Sequence, residues 1–183
     1  NFDISKKAEE FKKVIEKYQK KKDNDLLDAS KKMNTTFGEN CCVDKLFYFD
    51  FYAVEIFGKT KMGQKLLYAK QGEDRSKMKE IAASIKPAIV KMIKSQNIDS
   101  VVFVPPTVPR QIQFMKVLES ELSLSLAKIE VLKVIGDVRV PQKTLKKIED
   151  RIENAQNTFI VNNKAKFKTT LIIDDAVGSG ASI

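Results

Sequence analysis

Histidine is absent from the 183 residues. That excludes imidazole acid/base chemistry and every metal site built on histidine. Cysteine is nearly absent: the only two, Cys41 and Cys42, are adjacent. Neighbouring positions cannot supply a Cys-x-x-Cys ligand pair, and a disulfide between them would be strained. Two reduced thiols are the expectation, and they fit a cytoplasmic protein. Seven glycines and five prolines are too few for collagen, a low-complexity tract or wholesale disorder. Apolar runs stop at strand length, as in Val101-Val102-Phe103-Val104, so no membrane-spanning helix is expected. The amphipathic N-terminal helix could bind a membrane or a partner, but packing on its own domain or on a second copy is the expectation, so no membrane partner is expected. The opening carries no charged stretch followed by an apolar one, so no secretory leader is expected there.

What is present suits a packed domain. Hydrophobic residues make up 43% and charged residues 31%. A chain of this size can bury roughly 70% of its unfolded surface without a metal or disulfide staple. Lys and Arg number 33 against 24 Asp and Glu, a net charge of +9. Such a balance favours anionic partners: nucleotides, phosphosugars, nucleic acid or anionic lipid. The plainer reading is a set of solvated faces, because the lysines are scattered, as in Lys6-Lys7, Lys12-Lys13 and Lys20-Lys21-Lys22.

Ile4, Ala8, Phe11, Val14, Ile15 and Tyr18 recur at helical spacing, and Asp3 or Ser5 can cap that helix. A weaker helix is expected over 26–33 and a loop over 35–40. A boundary near residue 40 would make 1–40 an N-terminal helical appendage and 41–183 the main domain. Phe47, Phe49 and Phe51 alternate with Tyr48, Asp50 and Tyr52, the period of a strand. These aromatics could form a stacking platform for nucleic acid, although an aromatic strand is more often core. Residues 58–61 read as a turn and 64–70 as a strand or short helix. Met78, Ile81, Ala82, Ile85, Ile89, Met92 and Ile93 mark a long amphipathic helix over 76–95, with a kink expected at Pro87. Buried strands are expected over 99–104, 129–135 and 170–173, with a short strand over 158–161. Helices are expected around Phe114, Val117, Leu118 and Leu122, and over 144–156. Strands alternating with helices imply a doubly wound α/β fold with a mainly parallel sheet, whose ligands sit at the carboxyl ends of strands.

Two segments stand at such ends, 105–110 and 174–182. In the second, Thr170-Leu171-Ile172-Ile173 leads into Asp174-Asp175 and then Ala176-Val177-Gly178-Ser179-Gly180-Ala181-Ser182. Glycines let backbone N–H groups close around a phosphate, and Ser179 and Ser182 add hydroxyl donors. A helix starting near Ser179 would add partial positive charge. The two carboxylates can accept bonds from vicinal hydroxyls and help to hold hydrated Mg²⁺. The set suits a sugar bearing a phosphate and a diol. No Lys follows the glycine, so it is not a Walker A loop.

This segment resembles the phosphoribosyl-pyrophosphate (PRPP) motif of type I phosphoribosyltransferases, with Gly178-Ser179-Gly180 where Thr-Thr-Gly is commoner. Pro141-Gln142, Leu145, Arg151, Asn154 and Phe159 are similar to the stretch preceding that motif in ComF-like, competence-associated members. Val104-Pro105-Pro106-Thr107-Val108-Pro109-Arg110 resembles that branch's Pro-rich, Arg-bearing loop, and Lys70-Gln71-Gly72-Glu73 its Lys-x-Gly-Asp element. The resemblance covers about residues 50–183. The branch's zinc module is reduced to Cys41-Cys42, and its Arg-Gly-Phe-Asn-Gln run reads Ile112-Gln113-Phe114-Met115-Lys116. A complete fold of this type would continue beyond Ile183.

The resemblance implies roles. Asp174 and Asp175 would grip the ribose hydroxyls and hold Mg²⁺ through water. Ala176, Val177, Gly178, Ser179, Gly180, Ala181 and Ser182 would bind the 5′-phosphate. Pro105, Pro106, Thr107 and Arg110 would meet pyrophosphate; alternatively the prolines end a strand and Arg110 forms a surface ion pair. Arg139 and Lys143 flank Pro141 in a candidate catalytic cover. Arg151 and Asn154, three apart on a helix, would face the site or a neighbouring subunit of a homodimer, or would lie on an ordinary helix surface. The leading expectation is an enzyme displacing pyrophosphate from the ribose anomeric carbon with a nitrogen nucleophile. The other is a non-catalytic PRPP- or nucleotide-binding protein acting in DNA uptake or nucleic-acid metabolism.

Overall fold

A computed structural model of the chain describes residues 3–19, 22–23, 26–54, 57–106, 108–134, 147–162, 165–178 and 180. The chain divides into two compact units, Asn1–Lys65 and Leu66–Ile183.

In the first unit, apolar side chains at helical spacing form α1 (Ile4–Gln19). Asp3 caps it: its Oδ1 accepts from the N–H groups of Ser5 at 3.1 Å and Lys6 at 3.2 Å. β1 (Lys22–Asp23) and β2 (Leu26–Asp28) follow, then α2 (Ser30–Phe37), a 3-10 turn (Gly38–Asn40) and β3 (Phe47–Tyr48). The strands form one antiparallel sheet in the order β1-β2-β3.

The helix expected over 26–33 is thus a strand and then a helix. Leu26 and Leu27 are both buried, and Asp28 breaks the chain's direction by accepting the Ser30 N–H at 2.8 Å. The loop expected over 35–40 is instead the end of α2 and the 3-10 turn. Thr35 and Thr36 are helical, and their hydroxyls donate, each at 2.8 Å, to the carbonyls of Lys31 and Lys32 one turn back. Residues 1–40 are therefore not all helical, and β2 pairs with β3 from beyond residue 40. The boundary expected there falls inside the first unit. Cys41 and Cys42 are both free thiols.

The long aromatic strand is also interrupted. Among the described residues of that segment only β3 and β4 (Ala53–Val54) are extended, and β4 pairs antiparallel with β5 (Gly58–Lys59), where a turn was expected. Asp50 accepts the Phe51 N–H at 2.7 Å, a local bond that competes with a ladder. Tyr48 and Phe51 meet edge-on at 6.1 Å. Thr60 then caps α3 (Lys61–Gln71), accepting the Gly63 N–H at 2.9 Å while donating its hydroxyl to the Phe51 carbonyl. Gly63 is required here: a Cβ would lie 1.9 Å from the Tyr52 carbonyl oxygen. The division between the units falls within α3.

In the second unit, Asp74 caps α4 (Arg75–Ser95) by accepting the Lys77 N–H at 3.0 Å, and the helix runs through Pro87 as one element. Met78, Ile81, Ala82 and Ala88 are its buried face. β6 (Ser100–Phe103) leads to α5 (Phe114–Leu122), which buries Phe114, Met115, Val117, Leu118 and Leu122 and packs on α4. β7 (Ala127–Lys128), β8 (Val131–Lys133), α6 (Ile148–Thr158), β9 (Phe159–Val161) and β10 (Thr170–Ile173) complete the described elements.

β10, β6 and β7 form a parallel sheet with β6 in the middle, so the chain is a mixed α/β protein. The β6-α5-β7 passage is a parallel crossover, the arrangement that strand–helix alternation predicts. The buried strand expected over 129–135 is not part of this sheet among the described residues. The Ile129 N–H still donates to the Val101 carbonyl of β6 at 2.9 Å, and β8 then turns into an antiparallel ribbon with β9. Leu132 and Ile160 lie opposite one another there and are 55% and 52% exposed. β10 is only partly buried. Ile173 is covered, but Thr170 and Ile172 are exposed, because β10 stands at the sheet edge of the described residues.

Candidate functional site at the exits of β6 and β10

Parallel pairing decides where the site can form. Asp99 locks the register at the strand starts: its carboxylate accepts the N–H groups of Lys168 at 2.9 Å and Thr169 at 3.2 Å. Those bonds, the Lys168 one foremost, hold the Asp99 carboxyl below its usual range. One residue on, Ser100 is fully buried with its hydroxyl 2.8 Å from that of Thr170. With Thr170 opposite Ser100, Ile173 falls opposite Phe103. The Val104 N–H extends the ladder by donating to the Ile173 carbonyl at 2.9 Å. Asp174-Asp175 and Pro105-Pro106 therefore leave neighbouring strands at the same end.

Asp174 is half-buried, and the Asp175 N–H donates to its Oδ1 at 2.7 Å. Burial, and then the charge of Asp175, push the Asp174 carboxyl up to about 6. The Asp175 N–H, the Lys70 ammonium and the Ala176 N–H pull the other way without cancelling this. Asp175 has a partner of its own: Lys70 Nζ lies 2.5 Å from its Oδ2, across 105 residues of sequence. Lys70 stands in the last turn of α3, where an ammonium also suits the helix terminus. Lys133, on β8, is half-buried with its ammonium 4.8 Å from the centre of the Phe159 ring. Burial holds it below the ordinary lysine value, while the charge of Asp174 opposes that shift. The two acids thus stand among two cations.

In the loop after the acids, Ala176 and Gly178 are exposed and Val177 is half-buried. A Cβ at Gly178 would meet nothing within 4 Å, whereas Gly180 is buried with φ 92°, a conformation that favours glycine. Ser179, Ala181 and Ser182 lie outside the described residues. In the loop after β6, Pro105 is half-buried, Pro106 is exposed and Thr107 lies outside the described residues. Arg110 is half-buried, and its carbonyl accepts the Gln113 side-chain amide at 3.3 Å. Arg139 and Lys143, with Pro141-Gln142 and Leu145, lie outside the described residues. Arg151 and Asn154 stand one turn apart on α6, both half-buried, and the Asn154 carbonyl accepts the Thr158 hydroxyl at 2.7 Å.

The structure therefore brings Asp174, Asp175 and the loop after β6 together. It adds two residues to which the sequence assigned no role. Lys70 carried a signal, since Lys70-Gln71-Gly72-Glu73 resembles a family element. Lys133 carried only a weak one, a charge inside the apolar run Val131-Leu132-Lys133-Val134.

Among the described residues no group of three or more Asp, Glu, Cys or His could hold a metal ion. Mg²⁺ commonly keeps its waters and takes one or two carboxylates together with substrate phosphates. The acid pair fits that use and does not form an all-protein cage. Among the described residues no helix is long and apolar enough to cross a membrane. No family model matches the chain, and neither a curated protein nor a solved structure matches it.

Proposed function

We propose that the chain is a phosphoribosyltransferase-like protein of the ComF-like branch, with a doubly wound sheet. It binds PRPP with Mg²⁺ and displaces pyrophosphate from the ribose anomeric carbon with a nitrogen nucleophile. The observation that carries this reading is the side-by-side exit of Asp174-Asp175 and Pro105-Pro106 from two parallel strands. In open α/β sheets ligands occupy that end. The reading is supported by paired carboxylates and small residues suited to a ribose 5-phosphate in one loop, with the neighbouring loop as the candidate partner for pyrophosphate.

In the reaction the bond from the anomeric carbon to pyrophosphate breaks and a bond to nitrogen forms. The nitrogen's proton passes to the released pyrophosphate or to solvent water. Asp174 and Asp175 accept hydrogen bonds from the ribose hydroxyls and orient the ring, and their negative charge favours an oxocarbenium-like transition state. Mg²⁺, held through water by the same acids, would supply neutralisation of the pyrophosphate charge. None of these roles needs histidine or a reactive thiol.

Isothermal titration with PRPP and Mg²⁺ tests the reading. The protein should bind, and Asp174→Asn and Asp175→Asn should abolish binding. No binding by the unmodified protein refutes it. Pyrophosphate released during incubation with a panel of amines and bases would establish catalysis. Binding without release assigns the chain to the non-catalytic alternative.

A further inference from the structure

The last turn of α3 and the short turn that joins it to α4 send two side chains to two different loops. Lys70 forms the 2.5 Å ion pair with Asp175 in the loop after β10. Glu73, three residues on, accepts the Ile112 N–H through Oε2 at 2.7 Å in the segment after β6. Glu73 holds a φ of 49°, a left-handed conformation that a non-glycine residue seldom adopts. That conformation turns the chain between the two helices. The junction therefore braces both strand-exit loops from one side.

We infer that Lys70 is a positioning residue: it orients the Asp175 carboxylate toward the ligand, with the Glu73–Ile112 bond steadying the neighbouring loop. This rests on the proposed sugar-phosphate reading for what Asp175 holds, but the brace itself is independent of the ligand. Several features make the pair a constraint instead of a surface ornament. The side chains of Lys70 and Asp175 are 31% and 18% exposed, so water screens them less than it would a solvated pair. One contact ties a helix end to a strand exit 105 residues away. It engages Oδ2 of Asp175, while the Asp175 N–H is committed to Asp174 Oδ1. Side chain and backbone are thus held at once, which defines the direction of Oδ1. A bond from a ribose hydroxyl needs that direction to hold within a few tenths of an ångström.

The test has a ligand-free arm and a ligand arm, both on the full chain. The proteins are the unmodified chain, Lys70→Met, Lys70→Arg, Asp175→Asn and the Lys70→Met/Asp175→Asn double variant. In the first arm, amide hydrogen exchange is followed at Asp175, Ala176 and Val177. Lys70→Met should speed exchange there roughly 3- to 10-fold, the size of coupling expected of a charge-assisted pair. Amides of β6 should be far less affected, and Lys70→Arg should restore slow exchange. Unchanged exchange in Lys70→Met, or a uniform rise that includes β6, overturns the inference whatever the ligand proves to be.

In the second arm, PRPP with Mg²⁺ is titrated into each protein. Lys70→Met should weaken binding about tenfold and Lys70→Arg should recover it, because a guanidinium can also hold Oδ2 of Asp175. A loss that Lys70→Arg does not recover, or no loss in Lys70→Met, overturns the inference. The double variant serves the exchange arm, where Lys70→Met should add nothing to Asp175→Asn. If the unmodified chain binds no PRPP while the exchange arm behaves as expected, the ligand reading falls and the positioning role stands.

Discussion

Replacing Asp174 by Asn should make the protein more stable and, on the proposed reading, abolish PRPP binding. The carboxyl is pushed from its ordinary 3.8 up to about 6 because it is buried beside a second acid. Between those two pH values the folded state holds a proton on Asp174 that the unfolded state has released. Stability therefore falls as pH rises from about 4 to about 6, and the penalty is complete above that window. At ~1.4 kcal/mol per pH unit, the shift sets a ceiling of ~3 kcal/mol. Asp174 is only half-buried, and solvent screening reduces the expected effect to about 1–2 kcal/mol. Asn keeps the acceptor for the Asp175 N–H and removes the charge. Urea unfolding of both proteins at pH 4, 5, 6, 7 and 8 provides the measurement. The difference between them cancels the titration of Asp28, Asp74 and Asp99, whose carboxyls are held low by their own hydrogen bonds. Asp174→Asn should exceed the parent by about 1–2 kcal/mol at pH 8, and the gap should close toward pH 4. A variant less stable than the parent at pH 8, or a gap that ignores pH, would refute the reasoning. A carboxylate that costs stability and is needed for binding is the expected mark of a functional site.

Three further outcomes follow from packing. Gly63→Ala would set its Cβ 1.9 Å from the Tyr52 carbonyl oxygen, so thermal or urea unfolding should show a loss of about 2–3 kcal/mol. Gly178→Ala, where a Cβ meets nothing within 4 Å, should stay within about 0.5 kcal/mol of the parent. Leu118 is 2% exposed on the α5 face that packs against α4. Leu118→Ala should cost about 2–5 kcal/mol by urea denaturation, and a cost below 1 kcal/mol would show that this face is not core.

Long periodic segments were legible because one face must be apolar for them to exist at all. Met78, Ile81 and Ala82 marked α4, and Phe114, Val117, Leu118 and Leu122 marked α5, before any coordinate was needed. The run from Ser100 to Val104 and the apolar stretch before Asp174 marked β6 and β10 for the same reason. Short apolar stretches were ambiguous. Leu26 and Leu27 fit helix or strand equally, and a bond from Asp28 to the next turn settled it. The aromatic alternation from Phe47 onward carried the right period, but Asp50 redirected the chain after two extended residues.

By itself the sequence determined the α/β alternation and the placing of Asp174-Asp175 at a strand end, because periodicity and strand exit are local properties. Only the tertiary structure decided that the exit beside it belongs to β6, that 131–133 leaves the sheet for a ribbon, and that Lys70 closes on Asp175. Those outcomes rest on strand register and on contacts between residues far apart in the chain. No pattern within a single segment encodes them, since each depends on which distant partner buries or neutralises the group.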